Sequence, residues 1–377
     1  MHSLSLGHDP YTDGVRLLEQ FQRAQAAHPN AAPPLIYVYG PLTLPLLRWI
    51  ASLPLWLEIS GYWLLIAMGA AMAIRVGMRF VAEHERPVFL LLAPAAIFFP
   101  GLIQNDALFS GNVAYILYGL VFGAAAVGWR KGHWGWFYAA TLLAACFKAP
   151  MLTMLAIPLF SARRQWVWAG ATLAAWGAQF AAQWLLFPLE SRHYMDSLER
   201  MFSISRDFGS SPAGLLADRL FDTVPYRPVL MGTYLLYAIP LLGILFYLSR
   251  RFFAGKISLE QWVPVLSIGV ILLDPRIQEY DVAPITIMMG LVAWRFLAEG
   301  TGIRQGLLRF GFFFAVANLM AAYRWRSTEC VVLVGLFAAG VATLVAVPAR
   351  AAAPATIEID DEESLFASTQ LDSPLTS

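Results

Sequence analysis

Long runs of apolar residues, separated by short polar or basic connections, dominate the pattern along this chain. The runs cover about Ile59–Met78, Pro87–Ile103, Val113–Gly128, Trp134–Phe160, Gln165–Phe187, Val229–Ser249, Leu259–Leu273, Val282–Ala298, Leu307–Ala322 and Val331–Val347. They show no two-residue alternation, and their length predicts helices that cross or enter a bilayer. Several are shorter than the roughly 20 residues of a full crossing, so some helices are expected to start in the headgroups or stop partway.

One run is different. Trp134–Phe160 carries Lys148 and Pro150 at its centre, in the sequence Phe147-Lys148-Ala149-Pro150. Proline lacks the donor a helix needs and biases the residue before it towards extended backbone, so the run is expected to break there. Its flanks, Arg130-Lys131 and Arg163-Arg164, are both basic connections of the kind that stay on the cytoplasmic side. The run should therefore enter and return, with Lys148 at the tip. Each arm would rise only about 20 Å at 1.5 Å per residue, which leaves Lys148 within the bilayer or beside a cavity. A cation at that depth is costly and marks a candidate site; the simpler alternative is a lysine that snorkels to the headgroups.

Composition agrees with the pattern. Hydrophobic residues make up 58% of the chain and charged residues 14%, which describes a polytopic membrane protein; with the pattern of runs, the expectation is an all-α integral membrane protein with re-entrant or broken helices and outward-facing loops. A net charge of +1 argues against nucleic acid as a partner. Cys146 and Cys330 both lie in apolar runs, and His84, His133 and His193 lack metal-site spacing, so neither a disulfide framework nor a metal is expected.

Basic connections at Arg75 and Arg79, Arg130 and Lys131, Arg163 and Arg164, Arg250, Arg251 and Lys256, and Arg304 give the orientation. Residues 59–348 form the multi-span domain. Residues 1–58 would be an extracytoplasmic segment with interfacial elements, preceded in the natural product by a further helix upstream of Met1. Residues 349–377, with Glu358, Asp360, Asp361, Glu362 and Glu363, read as an acidic disordered cytoplasmic tail. Outward connections are Gln104–Asn112, the long Pro188–Pro228, Asp274–Asp281 and Tyr323–Glu329.

Four polar groups then share one side: Asp9-Pro10-Tyr11 with Asp13 and Tyr39; Gln104-Asn105-Asp106 with Asn112; Lys148; and Asp274 through Asp281, which includes Arg276, Gln278, Glu279 and Tyr280. Carboxylates beside cations can hold a hydroxyl and a phosphate together. Each group also has a plainer explanation. Asp9 and Asp13 suit a turn, Asn112 suits a helix N-cap, and Arg276 with Glu279 suits an interfacial ion pair. The arginines of the long outer connection, such as Arg192 and Arg200, suit a solvated face, with Tyr194, Leu198 and Phe202 at helical spacing on the other.

These segments resemble the GT-C membrane glycosyltransferases, and within them glycosyltransferase family 87, the polyprenyl-phosphate-mannose-dependent mannosyltransferase-like proteins. Asp9-Pro10-Tyr11 and Tyr39-Gly40-Pro41-Leu42 are similar to its Gly-x-Pro-Tyr and Tyr-Pro-Pro-Leu elements. Ser110-Gly111-Asn112-Val113 is similar to its Gly-Gln-x-Asn helix start, Phe147-Lys148-Ala149-Pro150 to its Lys-x-Pro break, and Asp274-Pro275 through Asp281 to its late Ser-Pro motif. The resemblance implies a GT-C-like helix bundle in the bacterial inner membrane with its site facing outward. It implies transfer of a hexose or pentose, with inversion, from a polyprenyl-phosphate donor to a lipid or envelope-glycan acceptor, with no cofactor beyond the lipid-linked donor. Lys148 and Arg276 would contact phosphate. Tyr11, Tyr39, Asn105, Asn112, Gln278, Tyr280 and Asp281 would contact sugar or acceptor, and Asp106 and Glu279 would assist catalysis. The family's usual base lies after its first transmembrane helix, a position expected upstream of Met1, with Asp9 as the substitute. A transporter or lipid flippase, or a non-catalytic relative, remains an alternative.

Overall fold

The computed structural model describes residues 8–25, 39–90, 113–205, 209–220 and 225–346. Among them every regular element is helical. The first is α1, Pro10–Gln25, where a turn around Asp9 and Asp13 was expected. Asp9 caps it instead, because its Oδ1 accepts the Tyr11 N–H at 3.0 Å and satisfies one of the free donors of the first turn. After a 3-10 turn at Pro41–Thr43 come α2, Leu44–Ala51, and the long apolar α3, Leu55–Met78.

A helical stretch follows at 86–90; α4 then spans Ala114–Lys131 and stops at Gly132, whose φ of 71° ends the helix without a Cβ penalty. α5, Gly135–Phe147, ends at Lys148 in extended backbone (φ −138°, ψ 99°), followed by a 3-10 segment, Ala149–Leu155, and the short α6, Ala156–Ser161. The break follows from Pro150, whose ring would clash with the Cys146 carbonyl in a continuous helix. The stretch does return. Trp129 at the end of α4 donates its indole N–H to Ser161 Oγ at 3.0 Å, and the Tyr138 hydroxyl donates to Gln165 O at 3.1 Å. Both arms therefore share one base, with Lys148 at the far tip.

α7, Trp166–Leu186, packs beside this hairpin, its Trp176 donating to Ala145 O at 3.2 Å. The connection between Pro188 and Pro228, read from sequence as a long loop with an amphipathic run, contains α8, Pro188–Arg200, a π-helical turn at Met201–Ser205, and α9, Pro212–Leu220. α10, Tyr226–Phe253, and α11, Leu259–Leu272, follow. Ser258 and Gln261 form a capping box at the start of α11. A second interruption then appears that the apolar run Val282–Ala298 had concealed. Four residues of helix, α12 (Glu279–Val282), pass through a 3-10 turn at Ala283–Ile285 before α13, Thr286–Ala298. Pro284 is again the local cause.

The final element, α14, runs Ile303–Ala346 and joins what the sequence pattern separates into Leu307–Ala322 and Val331–Val347. As one rod it would be about 66 Å long. Its packing excludes that: a Cβ at Gly306 would lie 3.2 Å from Trp294, and one at Gly340 would lie 3.3 Å from Val292, only two residues away on α13. α14 therefore doubles back, as two apolar spans, Ile303–Tyr323 and Arg326–Ala346.

The interior is apolar, and so is much of the exposed surface, as a membrane requires. α11 from Trp262 to Leu272 and α13 from Thr286 to Trp294 are buried throughout, whereas Trp56, Leu64, Leu185, Leu236 and Phe312 on surrounding helices are largely exposed. Among the described residues five helices are long and apolar enough to cross a bilayer, and exposed apolar belts of this kind face lipid. The chain is an all-α membrane protein.

Its two ends differ. Arg295 donates to Glu260 O and Phe80 O, each at 2.8 Å, and pairs with Glu85; Trp262 donates to Phe160 O at 2.9 Å, and Arg251 to Val345 O at 3.2 Å. These ties gather the connections bearing Arg79, Arg130, Lys131, Arg163, Arg164 and Lys256 at one end. Lys148, Tyr39 and the connection from Asp274 to Asp281 meet at the other.

Candidate functional site

At the hairpin tip Lys148 sits in extended backbone between the two arms. Its Nζ donates to Asp281 Oδ1, lies 4.5 Å from the centre of the Tyr280 ring and 5.9 Å from that of Tyr118. An ammonium over aromatic faces, with a carboxylate as counter-ion, is compensated in the way a buried charge requires. The Asp281 side chain is fully buried and that of Lys148 is 15% exposed, so the pair opens to the surroundings only through the lysine.

Asp281 is positioned by helix-start chemistry. It is the third residue of α12, and its Oδ2 accepts the Gln278 N–H at 3.0 Å, the acidic half of a capping box. Pro284 limits α12 to one turn, which keeps this carboxylate at the bundle end rather than within a span.

Asp274, also fully buried, starts the same connection. Its Oδ1 accepts the Arg276 N–H at 2.9 Å, an Asx-type turn, whereas no group among the described residues reaches its Oδ2. Burial, and next the charge of Asp281, push its carboxyl up to about 7, against the opposing effect of Lys148. The connection is braced from outside: Ser211 Oγ donates to Pro275 O at 2.6 Å, Ser210 N to Ile277 O at 2.7 Å, and the Tyr234 hydroxyl to Leu273 O at 2.9 Å. Arg276 lies beside Tyr280 and Asp274.

The N-terminal segment closes the other side. Tyr39 packs edge-on against Phe147, next to Lys148, with ring centres 6.3 Å apart, and its hydroxyl accepts the Val113 N–H at 3.4 Å. Burial raises the Tyr39 phenol to about 12. The Tyr11 hydroxyl donates to Tyr39 O at 2.6 Å, which ties α1 to the tip. Gly40 allows close approach, since a Cβ there would sit 3.2 Å from Gln183 Oε1 and 3.4 Å from Cys146 O.

Of the residues singled out from sequence, Lys148, Tyr39, Arg276, Gln278, Tyr280 and Asp281 come together, and Tyr11 supports them from one layer out. Asp9 does not join them. It pairs with His193 Nδ1 of α8, behind the edge-on contact of Tyr11 and Tyr194 at 5.6 Å. Asn105, Asp106 and Asn112 lie outside the described residues, as does the side chain of Glu279. The arginines of the connection between Pro188 and Pro228 are partly tied up, Arg200 with Glu19 and Arg227 with Glu199, each at 2.8 Å.

Sequence reasoning missed Tyr118 and gave Asp274 no role of its own. Tyr118 sits in a run of apolar and small residues where nothing distinguishes it. Asp274 had a usable signal, a carboxylate at the junction of a buried helix with proline.

The constellation offers two carboxylates, an ammonium, a guanidinium and three phenols in a largely buried setting at one end of the bundle. Cations of this kind bind anionic oxygen, and buried carboxylates hold protons or orient hydroxyls. No family model, curated protein or solved structure matches this chain.

Proposed function

We propose that this protein is an integral membrane glycosyltransferase that uses a polyprenyl-phosphate sugar and acts on a lipid or envelope-glycan acceptor at the outer face of the bacterial inner membrane. The observation that carries this reading is Lys148, held at the tip of a re-entrant hairpin among Tyr39, Tyr280, Asp281, Asp274 and Arg276. A lipid-linked donor presents its phosphate at the depth of the headgroups while its tail stays in the bilayer. A cation carried on a broken helix at the bundle end is suited to that geometry, because it meets the phosphate without crossing the membrane.

In this reading Lys148 and Arg276 neutralise the departing phosphate, which is where negative charge grows as the glycosidic bond breaks. Gln278, Tyr280 and Tyr39 orient sugar or acceptor hydroxyls. Glu279 and Asp106 remain candidates for the acceptor side, and Asp9 is the weaker choice for a base because its partner is His193.

The test is transfer of labelled sugar from polyprenyl-phosphate donors by the purified protein in lipid nanodiscs, with Lys148→Ala and Arg276→Ala compared with wild type. Donor-dependent transfer that both substitutions abolish supports the reading. Equal turnover in Lys148→Ala sinks the phosphate role.

A second reading has one specific observation in its favour. The breaks at Lys148 and at Ala283–Ile285 are a facing pair of interrupted helices, an arrangement transporters also use. Proteoliposomes separate the two, since a transporter moves labelled lipid-linked sugar across the bilayer without cleaving it.

A further inference from the structure

Lys148 is not a vacant cation. Its ammonium already has Asp281 as counter-ion, and Asp281 has no exposed surface through which water could take over. An anion that takes Lys148 therefore leaves a carboxylate buried without its cation, beside a second buried carboxylate, Asp274, whose Oδ2 has no partner among the described residues. Breaking one side of a buried ion pair is unfavourable unless the abandoned charge is removed. The cheapest way to remove it is a proton.

Resting on the glycosyltransferase reading, we propose that the donor phosphate binds by counter-ion exchange: it replaces Asp281 at Lys148, and the Asp274/Asp281 pair takes up one proton from solvent as it does so. The balance is simple. A polyprenyl phosphosugar is a phosphodiester with one negative charge. With both carboxylates ionised, Lys148, Arg276, Asp274 and Asp281 sum to zero; one added proton makes the cluster +1, which the single phosphate charge then neutralises. The only bond made is O–H on the carboxylate pair. The Oδ2 of Asp274, fully buried and without a partner among the described residues, is the oxygen placed to take it.

The remaining groups facing the pair do not supply this proton economically. Tyr118 comes from α4, Tyr39 from the N-terminal segment, Tyr234 from α10 and Tyr280 from α12 itself; each is a phenol, and Arg276 stays charged. The raised position of Asp274 agrees with a carboxyl that takes up a proton near neutrality. The linkage has a function in this setting. The empty site stays closed by its own ion pair, and it discriminates a phosphodiester from neutral lipids, since only an anion can displace Asp281.

The experiment uses the full chain in nanodiscs and a short-chain polyprenyl phosphohexose, which does not titrate between pH 5.5 and 8.5, with the matching polyprenol as neutral control. The dissociation constant for the phosphosugar should rise about tenfold per pH unit above neutrality, the slope of one proton. Asp281→Asn and Asp274→Asn should flatten that slope. Because either variant could fail to fold, calorimetry of the wild type in buffers of different ionisation enthalpy measures the proton directly, with an expected uptake that approaches one per phosphosugar at alkaline pH. Phosphosugar binding with a flat pH profile and no proton uptake overturns the exchange while leaving the donor reading intact. A slope that survives in folded Asp→Asn variants overturns it as well. Binding of phosphosugar no stronger than polyprenol at every pH overturns the donor reading itself.

Discussion

Trp129 donates its indole N–H to Ser161 Oγ at 3.0 Å across 32 positions of chain, and this contact closes the base of the Lys148 hairpin. Everything between the two residues must leave one end of the bundle and come back to it. Arg130-Lys131 and Arg163-Arg164 consequently lie together, and the cation at the tip faces the opposite end.

That arrangement is open to labelling. In a background with Cys146 and Cys330 replaced by alanine, Lys131→Cys and Arg164→Cys should react with an impermeant maleimide from the same face of sealed vesicles, and Arg192→Cys from the other. Labelling of Lys131→Cys and Arg164→Cys from opposite faces would mean that the stretch spans the membrane once.

The Lys148–Asp281 pair should be costly to break and much less costly to remove. Lys148→Met alone leaves a buried carboxylate unpaired and is expected to lower stability by about 3–5 kcal/mol. Adding Asp281→Leu should restore most of it, so the double variant should lose far less than the sum of the two single variants. Denaturant unfolding in micelles reads the cycle, and additive losses would show that the two side chains do not interact. Neither variant should turn over donor.

Asp274 gives stability a pH dependence of definite sign. Its folded carboxyl, pushed up to about 7 from 3.8 chiefly by burial and then by Asp281, keeps its proton over a range where the unfolded chain has released it. The folded state binds more protons between about pH 4 and 7, so this group's contribution to stability falls as pH rises through that window and levels off above it. Asp274→Asn should gain on the order of 1–4 kcal/mol over wild type at pH 8 and little at pH 4.5. An equal effect at both values would show that Asp274 titrates normally.

α3 and α4 cross where Gly119 meets Gly69: a Cβ on Gly119 would lie 2.7 Å from Gly69 Cα, and one on Gly69 3.2 Å from Tyr115 O. Backbone cannot yield as a side chain can, and small residues permit such close crossings in membranes. Gly119→Ala should cost about 1–3 kcal/mol and Gly119→Leu more, whereas Gly61→Ala, with open space around it, should be close to neutral. Thermal unfolding of the three variants ranks them, and an unaffected Gly119→Leu would argue against the crossing.

Much of the scaffold was legible in the chain. Apart from Pro87–Ile103, most of which lies outside the described residues, the apolar runs gave the long helices to within a few residues, and Pro150 between basic flanks gave the hairpin. The misses have local causes. Asp9-Pro10-Tyr11 reads equally as a turn or as a capped helix start, and only docking of α1 on α8 through Tyr11 and Tyr194 selects the helix. Pro284 lay inside an apolar run whose uniform hydropathy hid the second break. α14 keeps helical structure on both sides of a reversal that packing on Val292 and Trp294 imposes.

By itself the sequence determined that this chain lives in a membrane, where most of its long apolar helices lie, and that Lys148 sits at a break between two basic connections. Those properties follow from hydropathy and proline chemistry, which act over a few residues. Only the tertiary structure decided that Lys148 meets Asp281, 133 positions away, that Asp274 is buried beside them with an oxygen to spare, and that Asp9 turns to His193 instead. Charge pairing acts through space and leaves no periodicity in the chain, so the partner of a buried lysine is fixed by packing alone.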